Sequence, residues 1–142
     1  MPLGKPRVLV AGTELAIETC RRLLGESVEL IAARSVEEAL ERLDSALDLI
    51  ISSVRFDDSR MFDFLQALRA ARCAAPVLCC RMVRRPLSPT MYRSIETATR
   101  ALGVRAFMDM GTEIQERGEA QAERRLRELV YEHLPREARV TT

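Results

Sequence analysis

The chain has one lysine, one histidine and no tryptophan among its 142 residues. Of its 22 basic residues only Lys5 is lysine, and the rest are arginine. Chemistry that needs a lysine inside a folded core therefore has one candidate, and it sits close to the N-terminus. Histidine chemistry has only His133. Aromatic residues make up 4%, which leaves few platforms for stacking bases. Twenty-two basic residues face 21 acidic ones, a net charge of +1, so no global field draws in nucleic acid or anionic lipid. No apolar run is long enough to span a membrane. Residues Met1-Pro2-Leu3-Gly4-Lys5-Pro6 lack the apolar stretch of a signal peptide. The four cysteines, Cys20, Cys73, Cys79 and Cys80, form no CxxC pair. They read as buried, reduced thiols of a cytoplasmic protein.

What remains is ordinary globular composition, 47% hydrophobic and 30% charged, at a length that suits one domain. The expected domain spans 1–142, with a core over 7–134 and tails at 1–6 and 135–142. The first apolar run, Arg7 to Ala11, ends at Gly12 and reads as a strand buried on both faces. Helical spacing over Glu14–Leu24, with Leu15, Cys20, Leu23 and Leu24 on one side, stops at Gly25. A second strand covers Val28–Ala33. Ser35-Val36-Glu37-Glu38 is a capping box opening a helix with Val36, Ala39, Leu40 and Leu43 inward. The third strand is Asp48–Val54. A polar loop, Arg55–Arg60, leads to a helix presenting Phe62, Leu65 and Leu68. The fourth strand is Pro76–Cys80. Ser88-Pro89 caps a helix with Met91, Ile95, Ala98 and Leu102 in line. Gly103 ends it, and Val104–Met110 is the fifth strand. Thr112-Glu113-Ile114-Gln115 is a second capping box, starting one long charged helix to about Leu134 that Gly118 weakens internally.

Five strands alternating with five helices specify an α/β fold: a doubly wound, five-stranded parallel sheet. Sites in such sheets lie at the carboxyl ends of the strands. That singles out Gly12, Thr13 and Glu14; Ser53 to Asp58; Arg81 to Arg85; and Met110-Gly111. No glycine-rich phosphate loop is among them. Ser53 sits where a nucleophile would, but no base accompanies it, so Ser52 and Ser53 read as hydroxyls satisfying strand-end hydrogen bonds. His133 suits a helix C-terminus. Cys79 and Cys80 point to opposite faces of a strand and cannot chelate together. Asp57 and Asp58 read as solvated loop carboxylates. No metal and no cofactor is expected. The arginines Arg81, Arg84 and Arg85 form either a solvated loop or an anion contact, since guanidinium forks suit carboxylates and phosphates.

The stretch Asp48–Leu65, with Ala75-Pro76-Val77-Leu78-Cys79-Cys80 and Ala101–Met108, resembles the receiver domain of bacterial response regulators, a CheY-like domain. The resemblance runs from about Arg7 to Leu134. It implies the flavodoxin-like strand order 2-1-3-4-5. It also implies five functional positions, and the sequence departs at each. Gly12 and Thr13 stand where an acidic pair holds Mg²⁺, with only Glu14 beyond. Ser53 stands at the phospho-acceptor aspartate. Arg81 stands at the hydroxyl residue ending the fourth strand. Met110 and Gly111 replace the lysine and the proline after the fifth. The chain thus resembles a pseudo-receiver of two-component signal transduction. It is expected to be no enzyme and to act through a protein partner without aspartyl phosphorylation. The family resemblance implies dimerisation through the fourth helix, fifth strand and fifth helix. Met91, Ile95, Arg100, Arg105, Ile114, Arg125 and Glu128 would lie on that face; a solvated helix surface accounts for its charges equally well. A small-molecule or anion sensor built on Arg81, Arg84 and Arg85 with Thr13 and Ser53 is the alternative.

Overall fold

The computed structural model describes residues 4–135. Of the expected tails, residues 1–3 and 136–142 lie outside the described residues. Five strands form one parallel sheet: β1 (Arg7–Ala11), β2 (Glu29–Ala33), β3 (Leu49–Ser53), β4 (Val77–Arg81) and β5 (Ala106–Asp109). Their order is β2-β1-β3-β4-β5. The helices are α1 (Glu14–Leu24), α2 (Val36–Glu41), α3 (Met61–Ala70), α4 (Pro89–Ala101), α5 (Met110–Arg117) and α6 (Glu119–His133). Pro6, expected in a tail, is buried, and its carbonyl accepts from Glu29 N at 2.8 Å.

Alternation along the strands divides the core in two. Val8, Val10, Leu49, Ile51, Leu78, Cys80 and Met108 face α1 and α6, packing with Ile17, Leu24, Leu126 and Val130. Leu9, Ala11, Ile50, Cys79 and Phe107 face α2, α3 and α4, packing with Val36, Phe64, Leu65 and Leu68. Cys79 and Cys80 therefore do lie on opposite faces.

Three helical expectations change. The inward face of α1 is Ala16, Ile17, Cys20, Leu23 and Leu24, while Leu15 is 52% exposed. The small Ala16 is what fits beside the backbone of Gly12. On α4, Thr99 is the buried residue, with Tyr92, Ile95 and Leu102 packed on the core beside it; Met91 is 51% exposed. Tyr92 meets Phe107 edge-on at 5.1 Å, so an aromatic contact sets that face. On α3 the buried residues are Met61, Phe64, Leu65 and Leu68, and Phe62 is only half-buried. Phe56, in the expected polar loop, is fully buried edge-on against Phe64 at 5.3 Å.

The long final helix is two helices. Gly118 adopts φ +85° and ψ 162°, a region that only glycine enters readily, and it separates α5 from α6. The first of them begins at Met110, earlier than the Thr112 box implies, because Asp109 is its cap. Ser35 caps α2 as expected, its Oγ accepting from Glu38 N at 3.0 Å, but the return bond of the box goes one residue further back, Glu38 Oε1 accepting from Arg34 N at 2.9 Å. Ser88 caps α4 with Pro89 in its first turn.

Candidate functional site

At the carboxyl ends of the strands the chain places Gly12 and Thr13 after β1, Ser53 at the end of β3, Arg81 at the end of β4 and Asp109 at the end of β5. Thr13 is the N-cap of α1, its hydroxyl accepting from Ala16 N at 3.3 Å. A side chain on Gly12 would stand 3.0 Å from Cβ of both Ala16 and Ser53. The Cβ atoms of Ala16 and Ser53 crowd that position, so a side chain at Gly12 would need its neighbours to give way. Ser53 is buried at the sheet end. Ser52 is fully buried, and its Oγ has no hydrogen-bond partner among the described residues, contrary to the expected strand-end bond.

The most connected group joins Arg81, one of the strand-end residues the sequence singled out, to Asp109, which it did not. β4 and β5 pair in parallel with Arg81 opposite Asp109. Arg81 Nη1 lies 2.8 Å from Asp109 Oδ1 and also donates to the Arg85 carbonyl at 2.7 Å. Asp109 Oδ2 accepts from Leu87 N at 2.9 Å, from Thr112 N at 3.3 Å and from Thr112 Oγ1 at 2.5 Å. One carboxylate therefore ties β4, the loop after it and the first turn of α5. Below that loop lies Gly111: a Cβ there would stand 2.6 Å from the Arg85 carbonyl carbon and oxygen. The loop backbone rests directly on a residue without a side chain. Asp109 followed three residues later by Thr112 has the spacing of a capped helix start. That spacing was the available signal.

The other arginines do not converge with Arg81. Arg84 is exposed and grips Glu119 with two bonds of 2.8 Å, and Arg85 is exposed. The guanidinium of Arg84 holds the Glu119 carboxyl below its ordinary range. Met110 is buried in the core on the α1 side, with Met82 and Ile114 packed there too. Glu14, the one acidic residue near the expected acidic pair, is exposed and bonded to Arg34, which lowers its pKa. Asp57 is not simply solvated: Oδ2 accepts from Val36 N at 2.8 Å and from Arg60 at 3.2 Å, stapling the loop to the start of α2. Asp57, Asp58 and Ser59 all have positive φ, between 48° and 68°. His133 closes α6 with Nδ1 2.9 Å from the Leu129 carbonyl. Among the described residues no three His, Cys, Asp or Glu side chains converge on a metal position.

No family model and no curated protein matches the sequence. Solved structures do. The chemotaxis response regulator CheY4 of Vibrio cholerae superposes with a TM-score of 0.64 at 19% identity, over 89% of this chain and 99% of that one. The non-phosphorylated HemR receiver domain of Leptospira biflexa gives 0.59 at 21% identity, over 86% and 94%. A response regulator of Hahella chejuensis gives 0.63 at 18%, over 87% and 93%. The fold is CheY-like. The strand order expected from the sequence is the one observed, with six helices in place of five.

The divalent ion that the receiver resemblance implies does not fit this site. Gly12 brings no ligand and is crowded by Ala16 and Ser53, the Thr13 hydroxyl caps α1 and the Glu14 carboxylate is held by Arg34. A cation also needs oxygen ligands, and Arg81 brings a positive charge to the end of β4. What these residues do together is fix geometry: they lock the β4–α4 loop and the α5 start to the sheet.

Proposed function

We propose that residues 7–134 form a single receiver-like domain acting as a non-enzymatic signalling or scaffolding module of the cytoplasm. It works through a protein partner and without aspartyl phosphorylation. The observation that carries this reading is the Arg81–Asp109 pair, buried at the strand ends and joined to the β4–α4 loop. A phosphorylatable site needs an accessible carboxylate with its charge free for a metal ion. Here the position matching the acceptor is Ser53, and the buried Asp109 carboxylate, at the end of β5, is spent on an arginine and three further donors. Among the described residues no helix is long and apolar enough to cross a membrane.

The partner surface would be the one carrying exposed Met91, Arg100, Arg105 and Arg125, with half-buried Ile95. Arg125 lies 3.9 Å from Glu128 on its own helix, so that pair is local. Ile114 packs against the α1-side core, which removes it from the flat of that face. Self-association through this face is the simplest form of the proposal. Sedimentation of the wild type against Met91→Glu reads it.

The chemical test is intact mass after incubation with acetyl phosphate and Mg²⁺. The mass should stay unchanged. A single phosphate adduct, lost in Ser53→Ala or on hydroxylamine treatment, overturns the proposal.

A further inference from the structure

The end of the sheet opposite the candidate site holds a cavity of about 370 Å³ between α3 and α4. Its accessible apolar part comes from Leu102 and Ala74-Ala75-Pro76, with Leu65 and Leu68 almost fully buried behind them, and its charged rim from Arg69, Arg100 and Arg105. No aspartate or glutamate lines it. All three arginines are exposed. Arg69 donates to the Ala101 carbonyl at 3.1 Å, and Arg100 lies 3.9 Å from Glu96, too far for a hydrogen bond. Arg105 has no ion pair among the described residues.

Helix C-termini attract basic side chains, which accounts for Arg69 and Arg100 in the last turns of α3 and α4. It does not account for Arg105, which precedes β5 and is fixed there by its backbone, Arg105 N donating to the Val77 carbonyl at 2.8 Å. Elsewhere some arginines are matched to carboxylates, as in Arg7–Asp44, Arg22–Glu123 and Arg84–Glu119, while others, Arg42 and Arg93 among them, have no ion pair among the described residues; what sets this group apart is that its three arginines line one concavity. Three guanidinium groups around one concavity of ligand size, with no lining carboxylate, leave hydrogen-bond forks for an anion to fill.

We propose that this cavity binds a small molecule bearing a phosphate or carboxylate group, seated between Leu102 and the Ala74-Ala75-Pro76 segment. The site is separate from the sheet end discussed above; its Arg100 and Arg105 also lie on the proposed partner surface, so a bound anion would compete with self-association there.

Isothermal titration of the full chain in low-chloride buffer tests it, with pyrophosphate and citrate as probes. The expected result is one saturable site, with the stronger probe separating phosphate from carboxylate ligands. Arg105→Glu and Arg100→Glu should each weaken it about tenfold or more, since a charge-assisted bond is lost and a repulsion gained. Arg84→Glu, at the other end of the sheet, should leave it unchanged. Melting curves for each variant confirm that the fold persists; both residues are exposed, and Arg100 serves as the second variant should Arg105 disturb β5. No saturable binding of either probe by about 10 mM overturns the proposal. So does equal weakening in Arg84→Glu. Binding of a poly-glutamate peptide without binding of either small anion also overturns it, and makes the groove a protein-docking surface.

Discussion

Arg81 and Asp109 are 28 residues apart in sequence and 2.8 Å apart in space, at the adjoining ends of two parallel strands. The Asp109 side chain is fully buried and that of Arg81 is 10% exposed. Removing one partner of such a pair leaves an unneutralised charge where water cannot reach it. Asp109→Ala should destabilise the domain by about 3–5 kcal/mol. Arg81→Met combined with Asp109→Ser, which keeps a capping oxygen, should recover most of that loss. Urea midpoints of the three proteins check this; a single variant costing less than about 1 kcal/mol would show that the pair is not held as described.

Gly111→Ala probes the same assembly from below. Its Cβ would meet the Arg84 and Arg85 backbone at 2.6–2.8 Å, so the loop has to lift. Overpacking of this kind costs about 1–3 kcal/mol. Lifting the loop also draws the Arg85 carbonyl away from Arg81. Amide exchange should quicken over residues 83–88 more than over β1 and β3. The losses from Gly111→Ala and Arg81→Met should combine non-additively, since both act on one contact.

Ser52 offers a gain. Its hydroxyl is buried between β1 and β4 neighbours without a partner. An unpaired buried hydroxyl is costly, so Ser52→Ala should stabilise the chain by about 1 kcal/mol. A loss of similar size in denaturant titration would mean that the hydroxyl is bonded.

Burial pushes the Cys20 and Cys79 thiols up to about 12 and Cys80 upward as well. Cys73 is only half-buried. At pH 8 a disulfide reagent should label Cys73 alone in the native protein, and all four cysteines in denaturant. The sign with pH follows from the direction of the shift. The folded chain keeps thiol protons that the unfolded chain releases above its ordinary value of 9.0. This part of the stability is complete below pH 9 and falls away as pH rises toward about 12. Tyr92, raised mainly by burial, adds in the same direction. Stability measured at pH 8, 10 and 11 should decline; a flat profile would contradict the burial of these thiols.

Local pattern determined a great deal here. Short apolar runs bounded by glycine or polar residues suit strands buried on both faces, and their alternation with helical patterns indicates a parallel sheet, so all five strands were legible, with boundaries good to about two residues. Alternation placed Cys79 and Cys80 on opposite faces. The residues at the strand ends also announced, by their types alone, that no acidic pair and no lysine stand there. Tertiary structure decided the rest. Leu15 and Met91 fit a helical stripe, yet the depth of burial depends on what lies opposite: Ala16 meets the Gly12 backbone, and Tyr92 meets Phe107. Phe56 sits in a polar stretch and is buried only because α3 brings Phe64 to it. Above all, no spacing rule links Arg81 to Asp109. Their pairing exists because the register of β4 on β5 sets the two ends side by side, and only the folded sheet fixes that register.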